Sequence, residues 1–121
     1  MIWETIQEYA KCRDALLPAI EMTNGTHNED DIIAGILTGQ FKLFVNGSSG
    51  VVTDIVVFPR LKALNIFLIG GKLDEVMPLR SQLEKYREAQ GCKRITGLAV
   101  RKGWERFLDG EVLGTAMYRD Y

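Results

Sequence analysis

Gly70-Gly71-Lys72 directly follows the apolar run Phe67-Leu68-Ile69 and precedes a helix-like segment that stops at Gly91. Two glycines at the end of a strand, with a helix to follow, suit an anion cradle. Without a Cβ the backbone can approach phosphate oxygens, and its amides and the Lys72 ammonium supply positive charge. Asp74 and Glu75 oppose this, because they put two carboxylates where the anion would sit. Acids in a first helical turn also have a simpler use, since they meet the positive end of the macrodipole. The alternative for Gly70-Gly71 is therefore a turn that merely ends a strand.

Other residues of chemical interest have similar double readings. His27 is the one histidine, so any Ser-His-Asp or Cys-His machinery would be built around it. It stands inside Thr26-His27-Asn28-Glu29, which has the S/T-x-x-E form of a capping box and reads as a solvated helix start. Cys12 and Cys92 lie far apart without metal-ligand spacing and read as small buried thiols of a reducing compartment. The pairs Asp30-Asp31 and Asp74-Glu75 fall at helix starts, so no acid–base dyad, catalytic residue or metal site is assigned.

Lys85, Arg87, Lys93, Arg94, Arg101, Lys102 and Arg106 form a local basic excess. It reads as a solvated face, or as a surface for nucleic acid or an acidic partner. Aromatic residues do not interleave the run as single-strand readers require, which argues against nucleic acid. Trp104, Phe107 and Leu108 make an i, i+3, i+4 patch suited to the core face of a short helix. The alternative is an exposed Trp104 anchoring a protein partner, with Arg101 and Arg106 beside it.

The elements that must position these residues follow from hydrophobic spacing. Ile2, Trp3, Ile6, Tyr9, Ala10, Arg13, Leu16 and Leu17 keep helical spacing, and Pro18 predicts a break or kink. Asn24-Gly25 is a turn, Ile32, Ile33, Ile36 and Leu37 stripe a second helix, and Gly39 suits its left-handed exit. Phe41–Val45 alternates like a strand, Asn46-Gly47-Ser48-Ser49-Gly50 is a hairpin-type connection, and Val51–Phe58 and Ala63–Ile69 are β-branched strands. The link Pro59–Lys62 is too short for a crossover, so these two strands should pair antiparallel. Pro78 opens a helix with Leu79, Leu83, Tyr86 and Gln90 on one face, and Gly91 ends it. Lys93–Val100 then completes a βαβ crossover, a unit whose ligands bind at the carboxyl end of its first strand. Glu111–Tyr118 is predicted as a last strand, giving the order ααβββαβαβ in an α+β domain over 1–121.

Bulk composition narrows the class without naming a function. At 121 residues, 46% hydrophobic and 26% charged, the chain suits one globular core and not a disordered segment. The net charge of -1 exerts no overall pull on nucleic acid or anionic lipid. Residues 1–31 hold seven acids against two bases, leaving thirteen bases and nine acids beyond them. The start Met1-Ile2-Trp3-Glu4 has no signal-peptide pattern and no apolar run approaches membrane-spanning length, so a cytosolic protein without membrane partners is expected.

The predicted order resembles the GNAT fold of acyl-coenzyme A-dependent N-acyltransferases. More narrowly, Val52-Thr53-Asp54-Ile55-Val56 with Pro59-Arg60, Phe67–Gly71, Gly91-Cys92 and Arg101-Lys102-Gly103-Trp104 resembles a family of small GNAT-like proteins of tailed bacteriophages and prophages. The similarity covers about residues 26–108. It implies a mixed, mostly antiparallel sheet of five or six strands flanked by helices. It also implies a phage protein of the bacterial host cytoplasm or the virion, with head-assembly or structural proteins as partners. In working GNAT enzymes a [QR]-x-x-G-x-[GA] loop holds the coenzyme A pyrophosphate, and a tyrosine after the next strand protonates the thiolate. Here that loop is Gly70–Met77, and Phe107-Leu108 stands where Phe-Tyr is expected. The resemblance thus implies a degenerate coenzyme A site and a protein-binding role. The alternative is an acetyl-coenzyme A-dependent N-acetyltransferase binding its cofactor through Gly70, Gly71 and Lys72.

Overall fold

A computed structural model describes residues 2–98 and 103–121. The chain forms α1 (Ile2–Glu21), α2 (Glu29–Thr38), β1 (Lys42–Asn46), β2 (Ser49–Val57) and β3 (Lys62–Gly70). There follow α3 (Leu73–Val76), a 3₁₀ turn (Met77–Leu79), α4 (Arg80–Ala89), β4 (Arg94–Gly97) and α5 (Glu105–Leu108). The sheet has four strands in the order β1-β2-β3-β4. β1–β2 and β2–β3 pair antiparallel, and β3–β4 pair parallel across the α3–α4 crossover. This is an α+β domain with a mixed, mostly antiparallel sheet flanked by helices on both faces.

Period-two patterning sends alternate side chains to two cores. Phe44, Val51, Leu64 and Ile66 meet Val76, Leu79 and Leu83 of the crossover, together with Cys92, Trp104 and Phe107. On the other face Val52 and Leu68 meet Tyr9, Cys12, Leu16 and Ile20 of α1 and Ile32 of α2. The β2–β3 register slips between Val52↔Leu68 and Thr53↔Ile66, leaving Phe67 as an extra residue. Such a bulge lets neighbours share one face. Phe67 and Leu68 accordingly both pack with the α1–α2 core. There Phe67 stacks on Phe41 at 5.4 Å between ring centroids.

Several local expectations are corrected. The capping box at α2 is formed by Asn28 and Asp31: Asp31 N–H donates to Asn28 Oδ1 at 3.0 Å and Asn28 N–H to Asp31 Oδ2 at 2.9 Å. The helix starts two residues later than Thr26-x-x-Glu29 would place it, and Glu29 is free for another task. Pro18 does not end α1, which runs on to Glu21. Proline removes the amide that would bond the carbonyl of Asp14. Both residues lie on the exposed side of the helix, where solvent can serve that carbonyl.

The predicted strand Glu111–Tyr118 is absent; residues 110–121 have no regular structure and 111–121 are all exposed. Its apolar residues come as adjacent pairs, Val112-Leu113 and Met117-Tyr118, instead of alternating, so neither face is continuous. The sheet therefore has four strands among the described residues, not five or six. β4 is observed over Arg94–Gly97, shorter than Lys93–Val100, of which residues 99 and 100 lie outside the described residues.

Helix termini are closed by sequence-encoded caps. Gly39 takes φ 86° beyond α2. After α4, Gly91 N–H bonds the Glu88 carbonyl at 3.1 Å and Cys92 N–H the Arg87 carbonyl at 3.0 Å, the paired bonds of a Schellman motif. Arg87 Nη1 also donates to the Cys92 carbonyl at 2.8 Å, fixing the entry to β4.

α1 and α2 are tied by one polar cluster. Glu29 takes two bonds from Arg13, at 2.6 and 2.9 Å, and one from the buried Tyr9 hydroxyl at 2.9 Å. The Arg13 hydrogen bonds hold the Glu29 carboxyl below its ordinary value of 4.5, while burial and then Glu29 push the Tyr9 hydroxyl up. A depressed folded-state value means that this link stabilises fully above about pH 4.5 and is lost as the pH falls through the lower folded value. Glu29→Gln should therefore melt below the wild type at pH 7, and the gap should close on acidification towards pH 3, as thermal melts followed by circular dichroism would record.

Candidate functional site at the Gly70-Gly71 turn

Strand β3 ends at the turn that the sequence marks as an anion cradle, and the β1–β2 hairpin lies against it. Asn46 pairs with Ser49, so the hairpin turn is Gly47-Ser48, and Gly47 has the positive φ of 60° that a II′ turn places first. The turn presents Ser48 and Ser49 to the start of α3. Ser49 is fully buried. Its hydroxyl accepts from Lys72 N–H at 2.9 Å and donates to Glu75 Oε1 at 2.6 Å. Ser48 Oγ adds a second donation to the same oxygen at 3.3 Å, and Asn46 Nδ2 donates to the Glu75 carbonyl at 2.8 Å.

The carboxylate of Glu75 thus occupies a small anion pocket made by the hairpin turn. Hydrogen bonds from Ser49 and then from the Ser48 side chain and backbone hold it below the ordinary carboxylate range, with a smaller contribution from Lys72. A Cβ at Gly47 would strike this carboxylate. The glycines of the cradle have packing reasons of their own. A Cβ on Gly70 would collide with the Ala15 carbonyl of α1, and one on Gly71, where φ is 109°, with the Ser49 side chain. The Lys72 N–H is taken by Ser49, and the buried Ser49 hydroxyl is satisfied as both donor and acceptor within the protein.

The remaining candidates are scattered. Lys72 is exposed at the N-cap of α3 without a side-chain capping bond. Trp104 is 9% exposed and packs in the crossover core with Phe107, so the core-facing alternative describes it and the surface-anchor reading is corrected. Arg106 is exposed, and Arg101 lies outside the described residues. Leu108, in the place of the expected tyrosine, packs against the same core. His27 is half-buried, with its ring edge-on to Phe67 at 4.7 Å and Nδ1 2.8 Å from Thr26 Oγ1. That is a packed aromatic contact, not a solvated helix start. Cys12 and Cys92 are free and buried, and burial pushes the Cys12 thiol up to about 11. Among the described residues no group of three His, Cys, Asp or Glu side chains could hold a metal ion, and no helix is long and apolar enough to cross a membrane.

Sequence reasoning missed two polar assemblies. One is the Ser49–Glu75 latch, whose signal was a serine-rich hairpin facing an acidic first helical turn. The other crosses the sheet from strand to strand: Asn65 Nδ2 donates to Asp54 Oδ1 at 2.9 Å, and Thr96 Oγ1 donates to Asn65 Oδ1 at 2.9 Å. These residues stand opposite one another in register on β2, β3 and β4. The row pins the parallel strand to its neighbour.

No protein-family model matches the chain, and no curated protein matches it. The fold and the filled turn define a small α+β domain, and a solved structure shares that fold. It is the crystal structure of a point mutant of TTHA1254 from Thermus thermophilus, with a TM-score of 0.58 and 15% identity over 89% of this chain and 88% of that one.

If the two glycines serve packing, Gly70→Ala should destabilise the fold by about 1–3 kcal/mol, the usual cost of overpacking. Urea titration monitored by tryptophan fluorescence measures this. A turn reserved for a ligand would leave the midpoint of the free protein unchanged.

Proposed function

We propose that this chain is a GNAT-like scaffold of a tailed bacteriophage or prophage that works by binding protein, in head assembly or as a virion component. The observation that carries the reading is the closure of the Gly70-Gly71 turn. Glu75 holds the hairpin donors, Ser49 takes the Lys72 amide, and a carboxylate sits where a coenzyme A pyrophosphate would need positive charge. The arrangement of β2, β3, crossover and β4 supports the GNAT part of the proposal, and the phage-family motifs between Val52 and Cys92 lie on or beside those elements. Leu108 in place of a tyrosine supports loss of chemistry, since leucine has no proton to give. The host cytoplasm and the virion are the locations that such a role entails.

The competing reading is an acetyl-coenzyme A-dependent N-acetyltransferase, in which the cofactor displaces Glu75 and lies on Gly70, Gly71 and Lys72. Thermal shift separates the two. A ligand at a hundred times its dissociation constant stabilises a fold by about 2.7 kcal/mol, which moves the melting temperature of so small a domain by several degrees. The scaffold reading predicts an unchanged melting temperature at millimolar acetyl-coenzyme A and co-purification of the protein with phage head proteins. A dose-dependent rise in melting temperature would favour the enzyme.

A further inference from the structure

Burial of Trp104 leaves Trp3 as the tryptophan at the surface. In the first turn of α1, Trp3 is 67% exposed and Ile2 66%. Ile6 lies four residues from Ile2 and three from Trp3, so the three share one side of the helix. Ile6 and Leu37 of α2 border a hollow of about 40 Å³, which Thr5, Tyr9, Ile33 and Ile36 complete. One exposed apolar side chain is ordinary, but Ile2, Trp3, Ile6 and Leu37 form a patch that runs up to this hollow. The hollow has room for the tip of one aliphatic side chain.

Charge gives the patch a direction. Glu29, at the start of α2, meets Arg13, whereas Leu37, near its end, borders the hollow with Ile6, so the two helices run antiparallel. Along α1, Trp3, Ala10 and Asp14 fall at i, i+7 and i+11; along α2, Asp30, Ile33 and Leu37 fall at i, i+3 and i+7. Both stripes therefore end in an aspartate. Antiparallel packing puts the two aspartates at the same end, about 10 Å along α2 from Leu37. Asp14 and Asp30 are exposed and enter no ion pair among the described residues. The bases of the two helices, Lys11 and Arg13, are already held by Glu8 and Glu29, and the last turn of α2 adds none.

We infer that the α1–α2 groove docks the apolar face of a basic amphipathic helix from a protein partner. Apolar anchors at i, i+3, i+4 or i+7 fill the hollow and cover Trp3, and lysine or arginine one to two turns away meets Asp14 and Asp30. A helix suits the place because two packed helices present a groove and no backbone edge for a strand. The same acids disfavour other occupants. An isologous second copy brings this acidic surface again with no base to answer it, and an anionic membrane surface is repelled. The inference deepens the proposed function by naming a surface for protein binding, and it rests on that part of the reading alone.

The test titrates the full chain into two labelled helical peptides that share one leucine face, flanked by lysines in one and by glutamates in the other. Fluorescence anisotropy is expected to show saturable binding of the lysine peptide, about tenfold tighter than that of the glutamate peptide. Asp14→Asn with Asp30→Asn should abolish that preference, and Trp3→Ala with Ile6→Ala should abolish binding, both with an unchanged far-ultraviolet spectrum. No saturable binding at millimolar protein, equal affinity for the two peptides, or binding that survives Trp3→Ala with Ile6→Ala overturns the inference. So does a full chain that sediments with phosphatidylglycerol vesicles, or one that dimerises through Trp3 and Ile6 by light scattering. Co-purification with phage head proteins separates this inference from the reading beneath it. A Trp3→Ala, Ile6→Ala chain that still co-purifies overturns the surface and keeps the scaffold. Lysine-peptide binding by a wild-type chain that never co-purifies overturns the phage role and keeps the groove.

Discussion

The hydrogen bond from Ser49 to Glu75 is the contact on which the Gly70–Glu75 turn depends. It joins the start of β2 to the first turn of α3 across the end of β3, three pieces of chain that sequence alone does not bring together. Because Ser49 is fully buried, its hydroxyl must be satisfied inside the protein, and the Lys72 amide and the Glu75 carboxylate do so from opposite sides. The two requirements reinforce each other. A neutral side chain in place of Glu75 would leave Ser48 and Ser49 donors without their strongest acceptor, and an outside anion would have to displace a carboxylate already held by charge-assisted bonds.

The same region shows why glycine at a strand end is weak evidence of a ligand. Gly70 is required because α1 passes directly over it, with the Ala15 carbonyl in the place a Cβ would take. Gly71 is required by its positive φ and by Ser49. A phosphate cradle and a tight helix–strand crossing impose the same demand, the absence of a side chain, so the pair Gly-Gly cannot distinguish them. What does distinguish them is the destination of the amides and of the nearest carboxylate.

The local and sequential parts of this fold were legible in the residues. The hairpin, the antiparallel β2–β3 pairing through a short link, and the Leu79–Leu83–Tyr86 face of the crossover helix follow from spacing and loop length, and each is observed. Legibility failed where two segments compete for one role. Thr26 and Asn28 both make sound caps, and the structure uses Asn28 because Glu29 is drawn away to Arg13 and Tyr9. His27 looked solvated because its aromatic neighbours, Phe41 and Phe67, are distant in sequence and Phe67 reaches it only through a bulge. Strand propensity in Glu111–Tyr118 was real, but a strand exists only when an edge accepts it, and no pattern within the segment names that edge. The Ser49–Glu75 latch and the Asp54–Asn65–Thr96 row were invisible for the same reason, since both are products of register.

With Glu75 held by Ser48 and Ser49, the proposed scaffold role requires the Gly70–Glu75 turn to stay closed to a pyrophosphate. Amide chemical shifts of Gly70, Gly71, Lys72 and Glu75, followed by nuclear magnetic resonance during titration with coenzyme A to millimolar concentration, test this closure most directly. The shifts are expected to stay in place throughout. Saturable movement of these four amides would contradict it.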